Sequence, residues 1–428
     1  MPRGCFDSPS PMPDSISSTI VAQRDVLQHE EHARTWRERA DAVLPTGAST
    51  GSKRAAALYG DEFSDAPTHF ATARGCRVTD MNGDSFVDCT MALGAVSLGY
   101  AEPRVTNAVI AAASEGSVAG LSSWREVELA ERLCAVIPCA ERAQFLKSGA
   151  EAVSAAVRLS RTYTGRNRVV ASGYFGWHDW SSNSGGVPEA VREDVVHVPF
   201  GDVSALERAA RDAGRSLAAI VLEPVVEQEP PQDWIVSARA LCDELGAALV
   251  FDEVKTGFRL APGGYQQVCG VTPDLAAFGK ALANGYPLAA VVGKAPLMDA
   301  ARRTWISSTL ASEATGLAAA LVVLDWHDET DVCAKLASIG HEMRAAVERA
   351  ITATGARGVR TNGVDAMWLL HWDDAARENR FVREALAAGV LFKRGAYNFA
   401  AIAHDEDALA AVEHAASTAL TAVRGDTD

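Results

Sequence analysis

An α/β fold built on a mostly parallel sheet is what this sequence predicts, and three observations predict it. From Arg142 onward short β-rich runs alternate with longer helical stretches; the short runs carry apolar residues on both faces rather than at every second residue; and charged or polar side chains stand just after several of them. Continuous apolar runs mark strands covered by helices on both faces, the condition of parallel sheets. Seven candidate strands cover 143–146, 168–171, 195–198, 219–222, 248–251, 275–278 and 290–292, and candidate helices between them include 150–163, 203–213 and 237–245. Ligands of such sheets bind beyond the carboxyl ends of the strands, and Tyr174, Glu223, Asp252 and Lys280 all fall there. After about Leu310 long Ala-rich helices (315–326, 331–353) precede a β-like run at 366–371 and a last helix from Asp405, a pattern that reads as a smaller α/β domain. Near the other end, 68–88 carries turn signals at Arg74-Gly75 and Asn82-Gly-Asp84 and reads as hairpin material.

The chain of 428 residues exceeds what one hydrophobic core normally serves, so more than one domain is expected. A net charge of −15 argues against nucleic-acid or anionic-membrane partners, which need basic patches. The eight cysteines are scattered without a C-x-x-C pair, so neither a zinc site nor a disulfide framework is indicated. No apolar run approaches a membrane span and the first residues lack a secretory pattern, so a cytoplasmic enzyme is the expectation. Residues 1–18, rich in Pro and Ser, read as poorly ordered. His29-Glu-Glu-His32 has the wrong spacing for a metalloprotease helix and reads as a polar helix face.

One pairing carries most chemistry. The run 248–251 delivers Asp252 at its end, and a second apolar run delivers Lys280 28 positions later. Pyridoxal phosphate chemistry requires that pair: an amine to hold the cofactor aldehyde as a Schiff base, and a carboxylate to keep the pyridine nitrogen protonated so that the ring takes up electrons. At an effective dielectric of 20 such an ion pair is worth on the order of 4 kcal/mol, enough to keep the ring protonated at neutral pH. Desolvation and a nearby cationic ring both push the lysine toward neutrality, which it needs to act as a base.

Five segments extend the pairing: Phe251-Asp-Glu-Val-Lys-Thr-Gly-Phe-Arg259, Phe278-Gly-Lys280 with Gly285-Tyr-Pro287, Leu222-Glu-Pro224, Lys147-Ser-Gly-Ala-Glu-Ala152 and Gly173-Tyr-Phe-Gly176. On these the chain, from about Leu44 to about Ala411, resembles the class III aminotransferases of fold type I, in particular the branch containing glutamate-1-semialdehyde 2,1-aminomutase. The resemblance implies a fold type I transferase: a large cofactor-binding domain at 76–310, a small domain at 311–428, and an N-terminal segment at 1–75 that joins the small domain.

It also implies roles. Ser148, Gly149 and Ala150 would hold the cofactor phosphate at a helix N-terminus, although Ser148 read alone is an N-cap; relatives usually place Thr where Ala150 stands. Tyr174, in Gly-Tyr-x-Gly, would stack on the ring, although an aromatic at a strand end, read alone, is core. Phe175 replaces a His of many relatives, and His178 and Asp179 read as loop residues near the entrance. Val254 would support the ring from the side of Asp252 if the strand continued, with Glu223 near the cofactor and Glu253 pointing away. Ser307-Ser-Thr309 resembles the segment by which one subunit reaches the cofactor phosphate of the other, which makes a homodimer with shared sites; read alone, it is a helix cap. For a substrate carboxylate the candidates are Arg125, Arg394 and Arg259, the last more in keeping with a structural part. Arg394 departs from the small polar residues usual in that branch.

The reaction expected is transfer of an amino group between a donor and a small oxo acceptor. An aminomutase or a racemase would use the same Lys, Asp and phosphate cradle, and a regulator of the same fold would have lost them.

Overall fold

The computed structural model describes residues 35–60 and 66–424. The stretch 1–18 and His29-Glu-Glu-His32 lie outside those residues. The described residues fall into two compact units, one ending at His69 and one starting at Phe70. In the first, helix Trp36–Val43 starts on a capping box of Thr35 and Glu38, and the Tyr59 hydroxyl donates to the Pro67 carbonyl at 2.7 Å.

The second unit opens with a meander, β1 (Phe70–Arg74), β2 (Arg77–Asp80) and β3 (Ser85–Asp88), turning where Gly75 and Asn82-Gly-Asp84 stand. Next come β4 (Arg142–Leu146), β5 (Arg168–Ser172), β6 (Val195–His197), β7 (Leu217–Leu222), β8 (Ala248–Asp252), β9 (Leu275–Phe278) and β10 (Ala289–Gly293). They form one seven-stranded sheet in the order β4-β10-β9-β8-β7-β5-β6. The β5–β6, β5–β7, β7–β8 and β8–β9 pairs are parallel, and β10 runs antiparallel to both its neighbours. The mostly parallel seven-stranded sheet is the one the apolar runs predict.

Strand alternation divides the interior into layers. Val250, Val221 and Ala277 pack with Ala152, Val153, Ala156 and Leu159 of helix Gly149–Thr164. Leu249, Phe251, Ile220 and Leu222 face the other way, onto helices Val203–Ala213 and Gln232–Leu245. Each Val, Leu, Ile or Phe among them contributes about 1.5–3 kcal/mol by leaving water. Ser148 starts Gly149–Thr164 and Asp202 starts Val203–Ala213, each through a side-chain oxygen that accepts a backbone N–H three residues on. The helix expected at 237–245 begins earlier, at Gln232, because Pro231 supplies an opening that the apolar periodicity does not record.

The C-terminal part holds helices Ala314–Glu329, Val332–Thr354, Ala375–Ala387 and Glu406–Arg424 with β11 (Val359–Val364), β12 (Met367–Trp372), β13 (Val390–Leu391) and β14 (Tyr397–Phe399). An antiparallel sheet runs β11-β12-β14, while β13 pairs in parallel with β3 and completes the meander's sheet. Among the described residues no helix is long and apolar enough to cross a membrane.

Candidate active site

The carboxyl ends of β4, β5, β7, β8 and β9 share one edge of the sheet, because β10 reverses twice the direction between β4 and β9. Lys147-Ser148, Gly173-Tyr174, Glu223, Glu253–Lys255 and Gly279-Lys280 follow those ends. Strand order reverses at β5: β6 lies on one side and β7 to β10 on the other, which leaves a crevice where Ser172 and Glu223 meet. There the Glu223 N–H donates to the Ser172 carbonyl at 2.9 Å.

Asp252 closes β8 and is buried. Among the described residues its carboxylate receives one hydrogen bond, from the Val254 N–H at 3.0 Å. Burial, and then the nearby Glu223 carboxylate, push its pKa up to about 7, against the opposing pull of the Val254 N–H, Lys280 and Lys255. Lys280 follows β9 with φ +47, a left-handed conformation rare for a side-chain-bearing residue and one that costs about 1–3 kcal/mol. Among the described residues its Nζ has no hydrogen-bond partner. Burial, and then the Lys255 ammonium, bring it down to about 8. A carboxyl and an amine, each desolvated and each brought toward neutral pH, thus stand together on the rim.

Val254 reaches the site by a different route from the one expected. The strand stops at Asp252 and the chain turns, the Asp252 side chain capping the turn at Val254. The Val254 methyls nonetheless lie against Gly149, where a Cβ would come within 2.7 Å of them, and 3.5 Å from the Cβ position of Gly279. Val254 therefore lies against the start of helix Gly149–Thr164 and beside the residue before Lys280. Only glycine at 149 permits that approach.

Ser148 is the N-cap: its hydroxyl accepts the Glu151 N–H at 3.3 Å and Glu151 Oε2 accepts the Ser148 N–H at 2.8 Å. The N–H groups of Gly149 and Ala150 start the helix and have no intrahelical acceptor, which suits an anion. The Tyr174 ring is 75% exposed, so it is not the core aromatic that was the alternative for it. Its N–H donates to Glu223 Oε2 at 3.1 Å, and the backbone approaches so closely at Gly173, φ +133, that a Cβ there would lie 2.4 Å from the Glu223 side chain. Phe175 is buried against Trp180, and His178 Nδ1 lies 2.7 Å from Ser154 Oγ.

The buried residues of the motif have evident structural parts. Glu253 accepts the N–H groups of Tyr265 and Gln266 at 2.8 and 3.1 Å and a hydrogen bond from Thr256. Arg259 is fully buried, with its guanidinium 4.8 Å over the Phe399 ring and donating to the carbonyls of Lys255 and Gly94. The Asn284 amide accepts the N–H groups of Ser97 and Leu98 and donates to Gly99.

Three of the expected residues lie elsewhere on the chain. Thr309 and Arg125 line a separate open cavity of about 370 Å³ with residues 115–124 and 312–314, and Lys280, Asp252 and Tyr174 do not line it. The Arg125 guanidinium is paired with Glu115 at 2.7 Å and stacked over Trp124 at 4.6 Å. Arg394 donates to Asn379 of helix Ala375–Ala387.

Two residues at the rim were not singled out from the sequence. Lys255 is buried between Glu223 Oε1 at 2.6 Å and the Tyr397 hydroxyl at 2.9 Å. The sequence signal was a charge inside an otherwise buried motif; its partners lie far away in sequence.

An α/β fold with a desolvated Lys and Asp on the carboxyl edge of its sheet defines a class of enzyme that handles amines and carbonyls. Residues 60–402 match the aminotransferase class III family, to which the chain belongs. It is 32% identical over 341 residues to the 3-aminobutyryl-CoA aminotransferase of Cloacimonas acidaminovorans, covering 78% of this chain and 81% of that one. To the glutamate-1-semialdehyde 2,1-aminomutase of Methanopyrus kandleri it is 30% identical over 425 residues, covering 91% and 97%. The pyridoxal phosphate internal aldimine form of the FumI protein of Sphingopyxis sp. MTA144 superposes with a TM-score of 0.87 at 29% identity, over 91% of this chain and 96% of that one.

Proposed function

We propose that this enzyme is a pyridoxal phosphate-dependent aminotransferase that moves an amino group from a donor to a small oxo acceptor, with Lys280 and Asp252 as its catalytic residues. The observation that carries this reading is their convergence: both groups follow neighbouring parallel strands, both are short of protein partners, and burial brings both toward neutral pH. The residues around them fit the cofactor. The N–H groups of Gly149 and Ala150, which have no intrahelical acceptor, suit its phosphate, with Ser148 at the cap. The exposed Tyr174 ring offers a stacking face on one side and Val254 an apolar support on the other.

Pyridoxal phosphate, when bound, supplies an aldehyde that takes up an amino group and a ring that accepts electrons from the carbon bearing it. Lys280 Nζ would hold the cofactor and would be the group placed to move the proton to and from the substrate carbon. Its near-neutral pKa keeps a large fraction of the amine unprotonated at pH 8, the form this task requires. Asp252 would accept the hydrogen bond of the protonated ring nitrogen, and Glu223 fixes the main chain of Tyr174.

The same reading makes the enzyme a homodimer in which Thr309 reaches the partner's phosphate site. Support comes from the exposed apolar side chains Leu121, Trp124, Val127, Trp305 and Leu310 on the segments around the Thr309 cavity, more apolar surface than a monomer normally leaves in water. Arg125 and Arg394 stay as candidates for a substrate carboxylate. A reducing compartment, the cytoplasm, suits the described cysteines, all of them free thiols.

Replacing Lys280 by Ala tests the assignment. We expect the visible absorbance of the bound cofactor to disappear and turnover to fall by at least ~10²-fold; an active variant would sink it. The likeness to aminomutases supports a second reading, isomerisation on one molecule. Incubating the loaded enzyme with a panel of donors alone separates the two, because transfer releases one keto product per site and isomerisation releases none.

A further inference from the structure

We propose that Lys255 is a positioning residue of this active site: clamped by Glu223 and Tyr397, it fixes the backbone that presents Tyr174 and holds a permanent positive charge beside the Lys280 amine. The proposal rests on the reading of Lys280 as the reacting amine.

Lys255 draws together ends of the fold that are remote in sequence. Its ammonium lies 2.6 Å from Glu223 Oε1 after β7, 2.9 Å from the hydroxyl of Tyr397 on β14 and 4.1 Å from the centre of that ring. The second Glu223 oxygen holds the Tyr174 N–H, and the Tyr397 hydroxyl accepts the Glu227 N–H at 2.8 Å. Both Lys255 and Glu223 are buried, so neither charge can be removed without leaving the other unpaired. Surface packing gives no reason for an ion pair at this depth. Position in the site gives one: Val254, the residue before Lys255, lies beside Gly279, the residue before Lys280, with a methyl 3.5 Å from where a Cβ of Gly279 would stand, so the two lysines follow neighbouring points of the chain.

The charged groups facing Lys280 are Lys255, Asp252, Glu223 and Arg259. After burial, Lys255 is the largest influence holding the amine down, Asp252 and Glu223 oppose it, and Arg259 adds to it. Removing Lys255 takes away a positive charge and unpairs Glu223, and both changes make Lys280 more basic. Removing the Glu223 charge makes it less basic. A part played only through packing gives a different pattern, because loosening the site lets water reach Lys280 and raises its pKa in either variant.

The test uses the full-length chain freed of cofactor, with the rate of acetylation of Lys280 by acetic anhydride followed against pH by peptide mass spectrometry. We expect a midpoint near pH 8 for the parent, about one unit higher in Lys255→Met and lower in Glu223→Gln, and unchanged in Lys255→Arg. A midpoint that stays put in Lys255→Met, or that rises in both single variants, overturns the proposal. Should a single variant not fold, the double variant Lys255→Met with Glu223→Gln leaves no charge unpaired. Its midpoint is expected above the parent's, since Lys255 outweighs Glu223, and an unmoved midpoint there is equally fatal. Labelling needs neither cofactor nor substrate, so its outcome is independent of whether the enzyme transfers amines. In the loaded enzyme the acid limb of the kcat/KM profile is expected to move in the same directions.

Discussion

At the scale of single residues the site is a set of buried charges that the fold tolerates because they are to be used. Asp252 shows this through the pH dependence of stability. In the cofactor-free protein its pKa is about 7, against about 3.9 for an unfolded chain. The folded state therefore holds an extra proton from about pH 4 to pH 7, and stability is lost as pH rises through that window. Asp252→Asn removes the titration while keeping the shape. Stripped of cofactor, the variant should melt several degrees above the parent at pH 8, with a smaller gap at pH 5; equal gaps at both would show that the carboxyl is not held protonated. Asp252 and Lys280 were legible in the sequence because each stands at the end of an apolar run. Val254 was chosen on the premise of a continuing strand, whereas the turn capped by Asp252 brings it to Gly149 and Gly279. Lys255 was legible only as a charge inside an otherwise buried motif. Its significance lies in Glu223 and in Tyr397, 142 positions away, and no local pattern encodes such partners.

Among the elements, β8, β9 and β10 must keep register for Asp252 and Lys280 to face one another, and Asp274 ties all three. Its carboxylate accepts the Leu249 N–H of β8 at 2.8 Å, Arg239 at 2.9 Å and Lys294, just after β10, at 2.6 Å. Burial alone would raise its pKa, but Lys294, the Leu249 N–H and Arg239 together bring it below the usual carboxylate value. Such a group stabilises the fold above about pH 4 and ceases to as pH falls below it, opposite in sign to Asp252. Asp274→Ala should cost about 1–3 kcal/mol, because it leaves the buried Leu249 N–H without its acceptor and Arg239 with only the exposed Asp243. Urea unfolding at pH 7 measures this, and a loss below 1 kcal/mol would show that the three strands hold register without it. The central strands β7 to β10 were readable because burial on both faces writes a continuous apolar run. The two-residue β13 was not, since its identity comes from pairing with β3, some three hundred positions earlier, and neither was β14, whose three residues complete a sheet begun at β11.

For the whole molecule the question is whether one chain contains a complete site. Lys280, Asp252, Tyr174 and the Ser148 cap share the rim, while Thr309 lines a separate cavity among exposed apolar side chains. If Thr309 acts on the partner's phosphate site, each site takes Lys280 from one protomer and Thr309 from the other. Two defects carried on different chains must then complement. Lys280→Ala abolishes the amine, and Thr309→Glu sets a carboxylate against the phosphate, so either homodimer has two damaged sites. A hybrid has one site with both defects and one with neither. Random association of equal amounts of the two chains makes half the dimers hybrids, so the mixture should recover about a quarter of the parental activity. Co-expression with two different affinity tags isolates the hybrid, in which the expected activity is about half the parent's with unchanged KM. A hybrid no more active than the Thr309→Glu homodimer would show that each chain closes its own site, and a chain that sediments as a monomer at working concentration would remove the shared site altogether.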